Sequence, residues 1–315
     1  MKNITMFFAS WEAYGERWGT PHAIRDELKR RGYVINQYNL YHNNGLYDER
    51  KKTRHYSNEG VNLFFQDIRN GYEPDIVFLL DYGPFACPYL SKNNYRKALW
   101  ILEAGDEPQA HRLHLQKANN FDIILSPDYS CAEHYNRLGL KGYWWTHHAD
   151  ENIFKPYPDI KEEFGLITTC GPRGYGHLKG LTERLQEALG NQYKNERFFY
   201  GDDHPKFLSR GKIVLQCSQF GELTRRIFEG MACGKMVLTD KLSPDTHIED
   251  LFEDGKDIIY YSSIDECIEK ARYYIEHDDE RRQIALNGYN KVMANHSIKA
   301  RVDEWERIIQ AYVRV

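Results

Sequence analysis

The segment "GELTRRIFEGMACGKMVLTD", residues 221–240, packs two carboxylates, Glu222 and Glu229, and two guanidinium groups, Arg225 and Arg226, into eight positions. Arg225 and Glu229 are four apart, so on a helix they share a face and can pair. Glu222 precedes Glu229 by seven, which predicts the same side of one helix over residues 221–233. Ile227, Phe228 and Met231 give that helix an apolar side, and Ala232 and Gly234 suit a tight exit into the strand-like "KMVLTD". On a solvated surface such an Arg–Glu pair contributes only roughly 0.3–0.5 kcal/mol. The apolar flanks predict instead a partly buried junction. Two cations and two carboxylates at the end of a strand suit a ligand that carries both hydroxyls and phosphates.

A second stretch, "CGPRGYGHLKG" (residues 170–180), carries Gly171, Gly174 and Gly176 between a strand-like run and a helix. Glycines there let backbone amides approach an anion, and the helix N-terminus adds a positive field. Arg173 and Lys179 bring two cations to the same loop, fitting a phosphate or diphosphate. The pattern is neither G-x-G-x-x-G nor a Walker loop, because it lacks the G-K-[ST] ending. Taken alone, the loop reads equally as a plain strand–helix turn with solvated cations.

Other candidates fit blander roles. His111 and His114 form an H-x-x-H on a helix, and His147 and His148 are adjacent after a strand. With no Cys, Asp or Glu at ligand spacing, packing fits them better than a metal, and no metal site is expected. The basic run "ERKKTRH" at residues 49–55 reads as a solvated loop or a contact for an anionic acceptor.

The elements that must position these groups alternate in type. Strands are expected at 4–9, 33–40, "FDIILSPD" and "KGYWWTHHAD", and at the starts of "PDIVFLLDYGP" and "KALWILEAGDEP", which run into loops, with helices after Thr20-Pro21, over 58–70 and over 129–138. Thr20-Pro21 supplies an N-cap and a proline at the first helical position. After the two-proline stretch "FKPYPDIK" the alternation restarts with "FGLITTCG", a helix over 178–189, "RFFYGDD", "KIVLQCS", "KMVLTD" and "DIIYY". Three closing helices are expected over 264–277, 279–294 and 298–313. Apolar strands alternating with helices imply an α/β chain with parallel sheets covered on both faces, in two Rossmann-like domains. Ligands of such sheets bind beyond the carboxyl ends of the strands, where every candidate above lies. The boundaries expected are 1–155 for the first domain, 156–296 for the second, and 297–315 for a closing helix packed on the first.

A net charge of -4 provides no global basic field for nucleic acid. Six scattered cysteines without a C-x-x-C pair fit reduced, buried thiols and a cytoplasmic protein. No apolar run approaches the length of a membrane span, and the N-terminus does not read as a signal peptide.

The segment over 220–240 resembles the donor-binding signature of GT-B glycosyltransferases, nearest to the CgeB-type spore-maturation and group 1 enzymes, whose pattern reads R-x-F-E-x-x-A-C-G-x-x-L-L-T-D. The stretch "EDLFEDGKDIIYYSSIDECIEKARYYIEHDDERRQIALNGYNKV" continues the likeness, and "CGPRGYGHLKG" is similar to the G-x-R…K-G element of retaining members. The resemblance implies two Rossmann-like domains facing across a cleft and transfer of a sugar from a UDP- or GDP-sugar to an acceptor hydroxyl. It implies that Gly171, Arg173 and Lys179 hold the donor diphosphate and that Gly201 lies near the base. Glu229 would take the ribose hydroxyls, and either Arg225 or Arg226 would bind phosphate while the other orients Glu229. Glu222 would face the donor sugar, although the family's two glutamates are separated by seven residues and these by six. Trp11, Glu12 and Gly19 would contact the acceptor. After "KALWIL", Glu103, Asp106 and Glu107 are candidate bases, with Asp106 favoured by its flanking Gly105 and Pro108. Fixed cations and helix amides can stabilise a leaving diphosphate without a metal, and the chain has no D-x-D triplet. A DNA-base-modifying transferase, a non-catalytic sugar- or nucleotide-binding protein and an epimerase of the same architecture are the alternatives.

Overall fold

The computed structural model describes residues 3–8, 20–39, 59–81, 90–104, 115, 117–169, 180–196, 203–218 and 221–313. The chain divides into two compact units, Met1–Thr146 and His147–Val315.

The first unit is built on β1 (Asn3–Phe8), β2 (Val34–Asn39), β3 (Ile76–Asp81), β4 (Leu99–Ala104), β5 (Ile123–Ser126) and β6 (Gly142–Trp144). They form one sheet in the order β2-β1-β3-β4-β5-β6, every pair parallel. Helices α1 (Thr20–Arg30), α2 (Glu59–Arg69) and α3 (Tyr129–Arg137) supply the crossovers that parallel strands require. Ile76–Leu80 are wholly buried, as expected of a strand covered on both faces. Phe7, Tyr38, Phe64 and Trp100 form an aromatic core of edge-to-face and stacked rings.

The second unit repeats the plan with β7 (Phe164–Thr168), β8 (Tyr193–Asn195), β9 (Gly211–Gln216), β10 (Met236–Asp240) and β11 (Ile259–Tyr261). Its sheet runs β11-β10-β9-β7-β8, again all parallel. Around it lie α4 (Leu181–Leu189), α5 (Asp203–Ser209), α6 (Arg225–Ala232), α7 (Ile248–Leu251), α8 (Ile264–Glu276), α9 (Asp278–Asn295) and α10 (Ile298–Val313). Among the described residues no helix is long and apolar enough to cross a membrane.

The segment after Thr146 joins the second unit for clear reasons. Ala149 bridges Ser297 and donates to the His296 carbonyl at 3.0 Å. The Glu151 carboxylate accepts from the amides of Ile298 (2.8 Å) and Lys299 (3.3 Å), helping to cap the first turn of α10. Phe154 is buried in the core that also holds Ile227, Phe228 and Met231.

Two expectations are corrected. "RFFYGDD" does not end in a strand: Asp203 opens α5, and residues 197–202 lie outside the described set. Among the described residues the edge strand is β8, which pairs Tyr193–Asn195 with Leu166–Thr168. Its "YKN" sequence has too little apolar signal to compete with the aromatic run that follows. The helix expected over 221–233 is shorter, Arg225–Ala232, because Thr224 is extended at φ -107°, ψ 147°.

Candidate functional site

Helix α6 is held tightly on its sheet. Ile227, Phe228, Met231 and Ala232 are buried, and each large apolar side chain so covered contributes roughly 1.5–3 kcal/mol. Gly230 permits the approach: a Cβ there would lie 3.0 Å from a Val237 methyl and 3.1 Å from one of Val214. The helix closes in a Schellman turn, with Gly234 at φ +71° and its amide on the Met231 carbonyl at 2.9 Å. The Lys235 amide completes it on the Gly230 carbonyl at 3.3 Å. Gly–Lys after Ala–Cys is thus a helix stop as well as a lead into β10.

Within that helix Arg225 Nε donates to Glu229 Oε1 at 2.8 Å. The Glu229 residue is 2% exposed, so this is a desolvated, charge-assisted bond rather than a surface pair. Arg225 is therefore the guanidinium bonded to Glu229, through Oε1 of that carboxylate. Arg226, its neighbour in the first turn, points to a different face, since adjacent helical residues diverge by about 100°.

Buried imidazoles surround the pair. Burial and the nearby Arg225 guanidinium push His148 well below the usual histidine range. His204, on α5, is lowered mainly by burial, with Arg225 and Arg226 adding to it and Glu229 opposing. His296 falls to about 3 through burial and the charge of Arg301. All three are neutral near pH 7. His147 and His296 pack against the Phe228 ring, at centroid distances of 6.1 and 5.0 Å. These histidines line the base of α6 as packing groups, and among the described residues no three His, Cys, Asp or Glu side chains are grouped to hold a metal. Burial, with Glu229 close by, also drives the Cys233 thiol upward, so it stays protonated.

Glu222 is corrected in its placement. It precedes the helix in an extended segment, so it does not stand two helical turns below Glu229. It is nevertheless 7% exposed and lies on the short connection from β9 into α6. The base of that connection is tied down by groups that the sequence reading passed over. Asp240, the last residue of β10, accepts the Ser218 amide at 2.9 Å, and its second oxygen accepts the Ser218 hydroxyl. Tyr261 of β11 donates to the Gln216 carbonyl at 3.0 Å. An Asp closing an apolar strand is a weak signal in sequence, because so many strands end on polar residues.

Glu103 is also corrected. It is not in the loop after the strand but inside β4, registered with Leu80 and Leu125, and 2% exposed. The run "WILEA" stays in the sheet through Ala104, so the parallel ladder outcompetes the carboxylate's preference for solvent. Asp106, Trp11, Glu12, Gly19, Gly171, Arg173, Lys179 and Gly201 lie outside the described residues.

The strand order sets where these loops leave the sheet. In β11-β10-β9-β7-β8 the sequence direction reverses between β7 and β9, which pair directly, Thr168 beside Leu215. Such a reversal leaves a crevice at the carboxyl edge. The connection that begins with Thr169 leaves β7, and the one that carries Glu222 leaves β9, so they start side by side.

Comparison with known proteins agrees with this layout. The profile of a family described as "Glycosyl transferase-like" matches residues 167–307. Sucrose-phosphate synthase (tll1590) of Thermosynechococcus elongatus superposes with a TM-score of 0.68 at 10% identity, covering 99% of this chain and 100% of that one. Anabaena Alr3699/HepE, solved in complex with UDP-glucose, gives a TM-score of 0.64 at 12% identity over 98% and 99% of the two chains. A glycosyltransferase from Rickettsia africae ESF-5 gives 0.66 at 12% identity over 99% and 98%. The fold is that of a GT-B glycosyltransferase. No curated protein sequence matches the chain. The glycosyl transferase-like match begins within β7 and ends within α10, so it spans the second GT-B unit with the Arg225–Glu229 pair.

Proposed function

We propose that the chain is a glycosyltransferase that moves a sugar, a hexose in the first instance, from a UDP- or GDP-sugar to an acceptor hydroxyl, with retention and without a metal. The observation that carries this reading is the pairing of β7 with β9, whose carboxyl ends lead in sequence toward Arg173–Lys179 and Glu222–Glu229. In this reading residues 147–315 bind the donor and the first unit receives the acceptor, with Trp11, Glu12 and Gly19 among its contacts. Glu229, held by Arg225, accepts the ribose hydroxyls through Oε2. Arg226, Arg173 and Lys179 meet the diphosphate together with the loop amides at Gly171, and Gly201 lies by the base. As the glycosidic bond to the diphosphate breaks, those cations balance the charge that builds on the leaving group. Asp106 takes the acceptor proton, and Glu222 faces the sugar. Specificity of the CgeB type is the finer form of the same proposal, resting on the R-x-F-E-x-x-A-C-G likeness at Arg226–Gly234.

A thermal-shift panel of nucleotide sugars tests it, because a ligand of the folded state raises the melting temperature by mass action. A UDP- or GDP-sugar is expected to stabilise the wild-type protein, and to stabilise Glu229→Ala and Arg173→Ala much less. An unchanged melting temperature with every nucleotide sugar at millimolar concentration would overturn the assignment.

A further inference from the structure

We propose that Asp240 is a positioning residue of the donor site: through Ser218 it fixes the β9–α6 connection in the form that aligns Glu222 and the first turn of α6. The proposal rests on the donor-binding reading above and adds to it a group that does not itself touch the ligand.

Asp240 is 2% exposed and ends β10. A buried carboxylate is costly unless its oxygens are satisfied, and an apolar residue would pack there at less cost. Its oxygens are spent on one target. Oδ1 accepts the Ser218 amide at 2.9 Å and Oδ2 the Ser218 hydroxyl, with Thr239 Oγ1 adding a third contact at 3.3 Å. A two-pronged grip on the amide and side chain of one residue fixes its orientation as well as its position.

Ser218 is where the chain leaves the sheet. Only six residues, 219–224, separate it from Arg225 at the start of α6. The far end of that span is anchored by the burial of Leu223 and Ile227. Ser218 at one end and Leu223 at the other are thus both held, and Glu222 adjoins Leu223. Tyr261, from the next strand, braces the near end through the Gln216 carbonyl. Three adjacent strands, β9, β10 and β11, therefore meet at one point at their carboxyl edge, beside the crevice between β7 and β9.

The test uses the full chain and UDP and GDP as probes, followed by steady-state kinetics with whichever nucleotide sugar the protein consumes. Asp240→Ala is expected to weaken nucleotide binding about tenfold or more and to raise the donor KM by a similar factor, with kcat changed less than about threefold. Ser218→Ala should weaken binding less, and Asp240→Ala/Ser218→Ala should be no weaker than Asp240→Ala alone, since both remove one linkage. Asp240→Asn, which keeps an acceptor for the Ser218 amide, should recover part of the loss. A residue with only a structural role would lower the melting temperature of all these variants and leave the donor KM alone. Should Asp240→Ala not fold, Ser218→Ala and Asp240→Asn carry the same readouts. Wild-type binding with unaltered affinity in the soluble variants overturns the positioning role. Failure of the wild type to bind either nucleotide overturns the donor-site reading beneath it.

Discussion

The two sheets share one plan and differ at their carboxyl edges. In each, the strand order reverses once, between β1 and β3 in the first unit and between β7 and β9 in the second. In the second unit the polar groups around that edge are joined to one another: Arg225 to Glu229, Asp240 to Ser218, Tyr261 to Gln216. In the first, the described carboxylates toward the edge differ in setting: Glu103 lies within β4, registered with Leu80 and Leu125, and Asp128, after β5, caps α3 by accepting the Cys131 amide at 2.9 Å. Where recognition of a fixed phosphate and ribose is needed, a cross-braced edge holds the donors and acceptors still. The proposed function places donor binding in the second unit and the proton step in the first, and substitutions can separate the two.

The largest effect belongs to the first unit. Asp106→Asn should lower turnover by about 100-fold or more, the usual weight of a general base, while nucleotide affinity stays within about twofold of wild type. Measured kcat and nucleotide Kd check this, and a parallel loss of affinity would erase the contrast. Glu229→Ala should do the reverse. Loss of hydrogen bonds to a charged carboxylate costs about 1.5–3 kcal/mol, so nucleotide Kd should rise roughly 10- to 100-fold. Gly230→Ala probes the packing that carries Glu229. Crowding Val237 and Val214 should cost about 1–3 kcal/mol and lower the melting temperature of the second unit by roughly 2–10 °C in calorimetry.

The smallest effect is a pH dependence confined to the second unit. His296 titrates near 6.5 when unfolded and at about 3 when folded, so between those values the unfolded chain binds more protons. The stability tied to its neutral form is complete above about pH 6.5 and is lost as pH falls toward about 3. Lowering pH from 7 to 5 should therefore lower the melting temperature, and His296→Gln should flatten that slope.

Much of the fold was readable from strand–helix alternation. The expected closing helix at 298–313 is observed as Ile298–Val313, and the two parallel sheets follow from apolar strands bounded by turn residues. Arg225–Glu229 was readable because four-residue spacing makes neighbours on any helix. Glu222 was misplaced because seven-residue spacing has meaning only if the helix is continuous, and Thr224 breaks it. Glu103 was misplaced because a charged residue near a strand end gives no local sign of whether the ladder continues past it. Asp240 was missed for a different reason. Its partner is 22 residues away, just past the end of the neighbouring strand, and only the sheet order brings the two together.

Hydrogen–deuterium exchange with and without UDP tests the central claim most directly, because it reports where the nucleotide binds. The account predicts slowed exchange in peptides covering residues 170–180 and 217–229, with peptides over α4 and α8 unchanged. Binding that leaves 170–180 and 217–229 unprotected, or protects only peptides of the first unit, would contradict it.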